Sequence, residues 1–221
     1  KFKNITFSLI VTDTNSPEED KNEIRKILKE SLIDSKFLSV NLKDFEEKIT
    51  AGYSKAKFSN MANFYNSLVI AKNEDADLIY FVEDDYIHNK SSITEMVYSY
   101  EKFYSMFSKE VILLPSDYPY LYAKDDNTKI YLGEKNHWRL VSESLVTFMT
   151  SKELIVKHFK ELEKMGVEWV DPWEKPLHNL YKNYPCLSPI PSLAVHCANI
   201  NSVFGVSPLC NIKNLWDENE N

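Results

Sequence analysis

Glycine is nearly missing from this sequence: four residues in a chain of 221. A fold organised around glycine-rich loops is therefore a poor match. Arginine is rarer still, with Arg25 and Arg139 the sole arginines among 26 basic residues. The lysines are scattered and form no basic stripe. With a net charge of −7, a nucleic-acid backbone is a poor candidate partner. Cysteine is limited to Cys186, Cys197 and Cys210. That odd number at wide spacing contains no Cys-x-x-Cys pair, so reduced thiols in a cytoplasmic protein are expected. No apolar run approaches the length of a membrane span, and no signal peptide is visible.

Aromatic residues, in contrast, are plentiful: 13 Tyr, 12 Phe and 4 Trp in a chain that is 43% hydrophobic. The composition is that of a globular protein. The length suits one continuous domain able to bury a core without disulfides or a structural metal. Asn4-Ile5-Thr6 and Asn89-Lys90-Ser91 match the glycosylation sequon, a pattern frequent by chance. The acidic stretch 217–220 reads as a solvated end.

Hydrophobic patterning predicts a strand over 5–11, closed by the polar turn Thr12-Asp13-Thr14-Asn15. Ser16-Pro17-Glu18-Glu19 then has the pattern of a capping box with proline at the first helical position. Ile24, Ile27, Leu28 and Leu32 follow at helical spacing. A second strand is expected over 37–42, an ambiguous stretch over 43–57, and a helix over 59–72 with Met61, Phe64, Tyr65, Leu68 and Val69 on one face. Strands over 77–82 and 111–115 flank a helix over 91–107. This alternation favours a parallel sheet. Beyond Pro115, segments 129–132, 138–141 and 145–150 read as antiparallel strands. Helices over 151–164 and 173–183 follow, then a proline-rich loop region from Tyr184 on.

The segment richest in information is Phe81-Val82-Glu83-Asp84-Asp85-Tyr86. Three carboxylates directly follow a buried apolar strand, and in open α/β sheets ligands bind beyond the carboxyl ends of strands. Like charges crowd unfavourably unless water or a cation compensates. A hard divalent ion with oxygen ligands, Mg²⁺ or Mn²⁺, would do so and could bridge to a diphosphate. A solvated acidic turn is the competing reading of the cluster alone.

With its surroundings, the cluster resembles the GT-A class of nucleotide-sugar glycosyltransferases. The resemblance covers roughly the first 115 residues and is sharpest from Ser59 to His88. There Ser59-Asn60-Met61-Ala62-Asn63 opens a helix, and Asn-Glu-Asp-Ala-Asp (73–77) leads through Leu-Ile-Tyr-Phe-Val into Glu-Asp-Asp. The motif is a variant of Asp-x-Asp, because Glu83 stands first. The resemblance implies an α/β, Rossmann-like fold with a mixed central sheet flanked by helices and an antiparallel, loop-rich carboxy-terminal half. Residues 1–115 would bind the nucleotide sugar and 116–221 the acceptor. It implies Asp85 as metal ligand, with Glu83 or Asp84 facing the ribose or a metal-bound water. Thr12 and Asp13 would lie near the base, and Asn60 and Asn63 near base, ribose or sugar. His196, at the end of Leu193-Ala194-Val195-His196, matches the late histidine that many members add to the metal. A satisfied, partly buried histidine is the competing reading.

Other groups are weighed on their chemistry. Asn199, Asn201 and Lys213 follow in the late loop, and Lys213 could neutralise a leaving diphosphate, against the plain reading of a surface lysine. Arg139 offers a planar fork for phosphate or carboxylate, with Trp138 beside it as a sugar-stacking or a packed ring. Asp117, in Pro115-Ser116-Asp117-Tyr118-Pro119-Tyr120, could meet sugar hydroxyls, with Tyr118 and Tyr120 as stacking platforms or as packed rings. Direct displacement needs a general base. Asp117, Glu143, Glu168, Asp171 and Glu174 are available, and Asp171, which also suits a helix cap, is chosen ahead of Glu143. The expected activity is transfer of a sugar from a nucleotide diphosphate, uridine being the commonest base of the class, to a glycan or glycoconjugate hydroxyl. Two alternatives stand beside it. One is a nucleotidyltransferase making nucleotide sugars, which the lack of a glycine-rich basic loop at 12–15 disfavours. The other is a non-catalytic carbohydrate-binding module.

Overall fold

The computed structural model of the protein describes residues 5–49, 54–123, 127–198, 200–207 and 209–220. Asn4 of the first sequon and Asn199 lie outside them. In chain order the elements are β1 (Ser8–Asp13), α1 (Glu18–Glu30), β2 (Asp34–Ser39), α2 (Lys55–Asn73), β3 (Leu78–Phe81), β4 (Tyr86–His88), α3 (Ser92–Phe107) and β5 (Ile112–Leu113). Then come β6 (Ile130–Leu132), β7 (His137–Val141), β8 (Phe148–Ser151), α4 (Lys152–Lys157), α5 (Phe159–Leu162), α6 (Lys164–Val167), α7 (Lys175–Tyr181), β9 (Cys186–Ile190), β10 (Ala194–His196) and α8 (Ile212–Glu220). Short 3₁₀ turns occupy Leu42–Phe45 and Pro119–Tyr122. Contacts divide the chain into two compact units, Lys1–Glu74 with Phe159–Trp173, and Asp75–His158 with Glu174–Asn221.

In the first unit β1 and β2 run parallel, from Ser8 opposite Asp34 to Asp13 opposite Ser39. A parallel pair needs a long crossover, and α1 supplies it. The expected capping box does not form: Pro17 takes the cap position of α1 with no side-chain cap. Ser16 instead turns back, its N–H and hydroxyl both donating to Asp13 Oδ1. This is a local Asx-type alternative to capping. Val40, Phe45 and Ile49 bury against Met61 and Ala62 of α2, with Tyr65 edge-on to Phe45 at 6.0 Å.

The second unit holds a six-stranded sheet in the order β3-β8-β5-β9-β7-β6. In it β5 and β9 pair in parallel; β3–β8, β5–β8, β7–β9 and β6–β7 are antiparallel. The chain is thus mixed α/β. The expected mixed sheet flanked by helices is present in the second unit, while the parallel pairing favoured for the first half appears between β1 and β2 and not at β3, which pairs antiparallel with β8. A separate antiparallel pair joins β4 to β10.

Helix α3 closes one face over a core of Met96, Tyr100, Phe103, Val111, Leu113, Trp138, Met149, Leu187 and Leu193. It also grips the β6–β7 turn. Lys102 Nζ donates to the Gly133 carbonyl at 2.9 Å, and Ser99 Oγ accepts from Glu134 N–H at 2.8 Å. Glu95 accepts from the Lys135 and Asn136 amides at 2.9 and 3.1 Å. Gly133 is required by this close approach. A Cβ there would sit 2.3 Å from Trp138 Nε1 and 2.4 Å from Ser99 Oγ, both on buried, hydrogen-bonded side chains. Gly133→Ala should cost about 1–3 kcal/mol by overpacking, read as a lower urea midpoint. An unchanged midpoint would mean that the turn lifts off α3 freely.

Candidate active site

Strand β3 delivers the acidic cluster. It ends at Phe81, whose ring lies 5.0 Å from that of Phe148 on the neighbouring β8. From there Glu83 turns inward and Asp84 points to solvent. Thr147, just before β8, fixes Glu83: its hydroxyl accepts from the Glu83 amide at 3.1 Å and donates to Oε2 at 3.2 Å. Burial, reinforced by the nearby Asp85, pushes the Glu83 carboxyl up to about 7, against the hydroxyl and His196, which act the other way. The fold therefore favours the protonated acid at Glu83, and a cation bound beside it would oppose that shift.

The β4–β10 pair does the next step of assembly. Its register sets Tyr86 opposite His196, and Cys197 N–H donates to the Asp85 carbonyl at 2.7 Å. These backbone bonds bring Asp85 and His196 together although they are 111 positions apart, with Nε2 2.9 Å from Oδ2. The imidazole also stacks on Tyr86 at 5.0 Å, and Tyr86 meets the Tyr118 hydroxyl at 2.6 Å. Asp85 Oδ1 and His196 Nδ1 are buried and have no hydrogen-bond partner.

The fit to a metal can be judged from that pair. Two donors about 2.1 Å from a six-coordinate ion, at right angles, lie about 3 Å apart, close to the 2.9 Å separating Asp85 Oδ2 from His196 Nε2. Among the described residues no group of three or more His, Cys, Asp and Glu side chains forms a metal cage. An ion here would take two protein ligands and complete its shell from phosphate oxygens and water. Small hard ions are commonly held in that way, and an imidazole in the set favours Mn²⁺ over Mg²⁺.

The first unit gathers a polar network where β1 ends. Thr12 Oγ1 lies 3.2 Å from Ser67 Oγ, and Asn63 Nδ2 donates to the Thr12 carbonyl at 3.4 Å. Asn15 donates to Ser59 at 2.9 Å. Asp13 Oδ2 lies 3.7 Å from Lys21 Nζ. Asp13 Oδ2 and Asn63 Oδ1 are buried and make no hydrogen bond among the described residues. Asn60 is exposed one turn earlier on α2. Thr12, Asp13 and Asn63 thus lie together within the first unit.

Other expected residues have local partners. Asp117 and Arg139 pair with each other in the interior of the second unit. Asp117 also accepts from Tyr122, whose ring lies under the guanidinium at 4.2 Å. Trp138 is fully buried and donates to Glu95 at 3.1 Å, so it offers no face to a sugar. Tyr118 is likewise fully buried. Lys213 is exposed on α8 and binds Asp217 at 2.6 Å. Glu143 is exposed, and Asp171 is exposed in the first unit.

Glu174, weighed from the sequence but not chosen, is partly buried at the start of α7 and lies within electrostatic reach of Glu83. Burial raises its carboxyl above the usual value of 4.5, while its own backbone amide and His178 act to lower it. A raised folded-state value means that the fold favours the protonated acid. Its contribution to stability is complete below the ordinary carboxylate range and is lost as pH rises through the raised value. Glu174→Gln should therefore lift the urea midpoint relative to wild type at about pH 8 and not at about pH 4. The same offset at both pH values would contradict the assignment. No protein-family model matches the chain, and no curated protein matches it.

Proposed function

We propose that the protein is a GT-A-type glycosyltransferase that uses a divalent cation and a nucleotide-diphosphate sugar, with uridine as the base. The observation that carries this reading is the pairing of Asp85 with His196 at 2.9 Å at the end of an acidic turn, each retaining a buried polar atom without a partner. Asp85 and His196 would hold Mn²⁺ or Mg²⁺. A divalent ion, when bound, neutralises diphosphate charge as the leaving group departs. Thr147 keeps Glu83 oriented, and Glu83 and Asp84 face ribose or bound water. Thr12, Asp13, Asn60 and Asn63, the residues expected near the nucleoside, belong to the first unit, where their hydroxyl and amide groups suit hydroxyls and carbonyls.

In this reading the acceptor hydroxyl attacks the anomeric carbon as the diphosphate leaves, and a carboxylate takes its proton. Glu174 is preferred to Asp171 and Glu143, since its partly buried carboxyl is held above the ordinary value and lies near Glu83. Arg139 and Asp117 support the acceptor half through their pairing. Lys213 can exchange its exposed partner Asp217 for phosphate. No helix among the described residues is long and apolar enough to cross a membrane. The three unbridged cysteines support a cytoplasmic setting.

Calorimetry with UDP tests the proposal. Binding should need Mn²⁺, vanish with a chelator, and be followed by slow hydrolysis of a UDP-sugar. Heat that is the same with and without the metal would exclude this mechanism.

A further inference from the structure

A second feature lies beside the acidic turn and rests on a different set of side chains. Tyr118 and Tyr120 stack at 5.9 Å with an 18° tilt, and Phe204 packs against them at 6.1 and 5.3 Å. Tyr118 is sealed inside, but Tyr120 is partly open and Phe204 retains 38% of its surface. A lone exposed ring is ordinary. This one is presented on a built turn. Gly205 N–H donates to Ser202 O at 3.1 Å and Val206 N–H to Ile200 O at 2.9 Å. Phe204 N–H donates to Ser202 Oγ at 3.1 Å. A Cβ on Gly205 would lie 2.1 Å from the Ile200 carbonyl, so glycine is what lets the turn close. Tyr120 is fixed at both ends, its N–H donating to Val203 O and its hydroxyl to Glu143 O, each at 3.1 Å.

The position of this aromatic face is informative. Tyr86 stacks on His196 and touches the Tyr118 hydroxyl, so two rings separate His196 from Tyr120 and Phe204. Burial, then the Glu143 carboxylate, pushes the Tyr120 hydroxyl up; Glu174 adds to this and Arg139 opposes it. Glu143 supplies the carbonyl that holds Tyr120. Its neighbour Ser144 is bound by His178 at 3.0 Å, and His178 N–H bonds the Glu174 carbonyl at 2.9 Å. The nearby guanidinium, Arg139, is buried against Asp117. Rigid rings with two carboxylates within electrostatic reach suit a ligand with an apolar C–H face and a rim of hydroxyl donors.

We infer that Phe204 and the open part of Tyr120 bind the apolar face of a pyranose, with its hydroxyls turned to Glu143 and Glu174. This deepens the glycosyltransferase reading and rests on it for the ligand's role as acceptor; binding of the sugar is tested separately. Saturation-transfer NMR with methyl β-D-galactopyranoside and methyl β-D-glucopyranoside, with uridine in parallel, is the experiment. At least one pyranoside should take saturation at its ring protons in wild type. Phe204→Ala should weaken that binding by about 3- to 10-fold, the range of one aromatic contact. Phe204→Trp should restore it, which separates loss of the ring from loss of the fold. Asp85→Ala should leave pyranoside binding intact while losing metal-dependent UDP binding. If wild type binds pyranosides through Phe204 but shows no metal-dependent UDP binding, the donor reading fails and the sugar face stands. Three outcomes would overturn the inference: no pyranoside saturation in wild type, equal saturation in Phe204→Ala, or an effect of that variant confined to uridine.

Discussion

Asp85→Ala is expected to lower manganese-dependent affinity for UDP by more than about 100-fold. Removing an outer-shell partner of a metal ligand typically costs 10- to 100-fold, and Asp85 is proposed as a ligand itself. The fold should survive the change, because Asp85 is anchored through its backbone. Its carbonyl accepts from Cys197 N–H, and the β4–β10 ladder beside it is made of main-chain bonds. The side chain contributes mainly the contact to His196, 35% exposed on its own side and 15% on the histidine's. Calorimetry with and without Mn²⁺, beside a thermal melt, separates the two effects. His196→Ala should act in the same direction. A variant that binds UDP normally would remove Asp85 from the site.

Glu95→Ala is expected to be the most destabilising single change near the sheet, by about 3 kcal/mol or more. Glu95 is 3% exposed in the first turn of α3, and a carboxylate is rarely buried so deeply unless paired. Four donors satisfy it: Ser99 Oγ at 2.9 Å, Trp138 Nε1 at 3.1 Å, and the Lys135 and Asn136 amides at 2.9 and 3.1 Å. Truncation strands the donors of Ser99 and Trp138 in the fully buried core. Each buried donor left unpaired costs about 1–3 kcal/mol, and shared partners keep the sum below strict additivity. For a chain of this size the melting temperature should fall by roughly 2–4 °C per kcal/mol. Glu95→Gln keeps one acceptor oxygen and should cost about half as much. Equal stability of wild type and Glu95→Ala in urea would show that water reaches these donors.

The contrast between those two carboxylates explains what the chain discloses before it folds. The acidic turn after β3 was legible because strand pattern and charge run are contiguous. The same holds for α1, α2 and α3, whose apolar spacing is local. Glu95 was not legible: on a helix it reads as one more surface acid, and its donors come from a turn forty positions later. Strands β9 and β10 were hidden by Pro185, Pro189 and Pro191. Proline argues against a central strand, yet β5 is so short that its pairing with β9 ends at Leu187, before Pro189. Failure to predict β10 also hid the means by which His196 reaches Asp85. Asp171 and Glu174 both precede the same helix; Glu174 is partly buried within reach of Glu83, whereas Asp171 is exposed and belongs to the first unit. Phe204 gave no sequence signal beyond lying in a loop, and its presentation depends on Gly205, one of the four glycines.

The most direct measurement is anomalous diffraction at the manganese edge from crystals grown with Mn²⁺ and UDP. The account predicts a peak in contact with Asp85 and His196 and with the diphosphate oxygens. A peak elsewhere, or a nucleotide bound away from this pair, would contradict it.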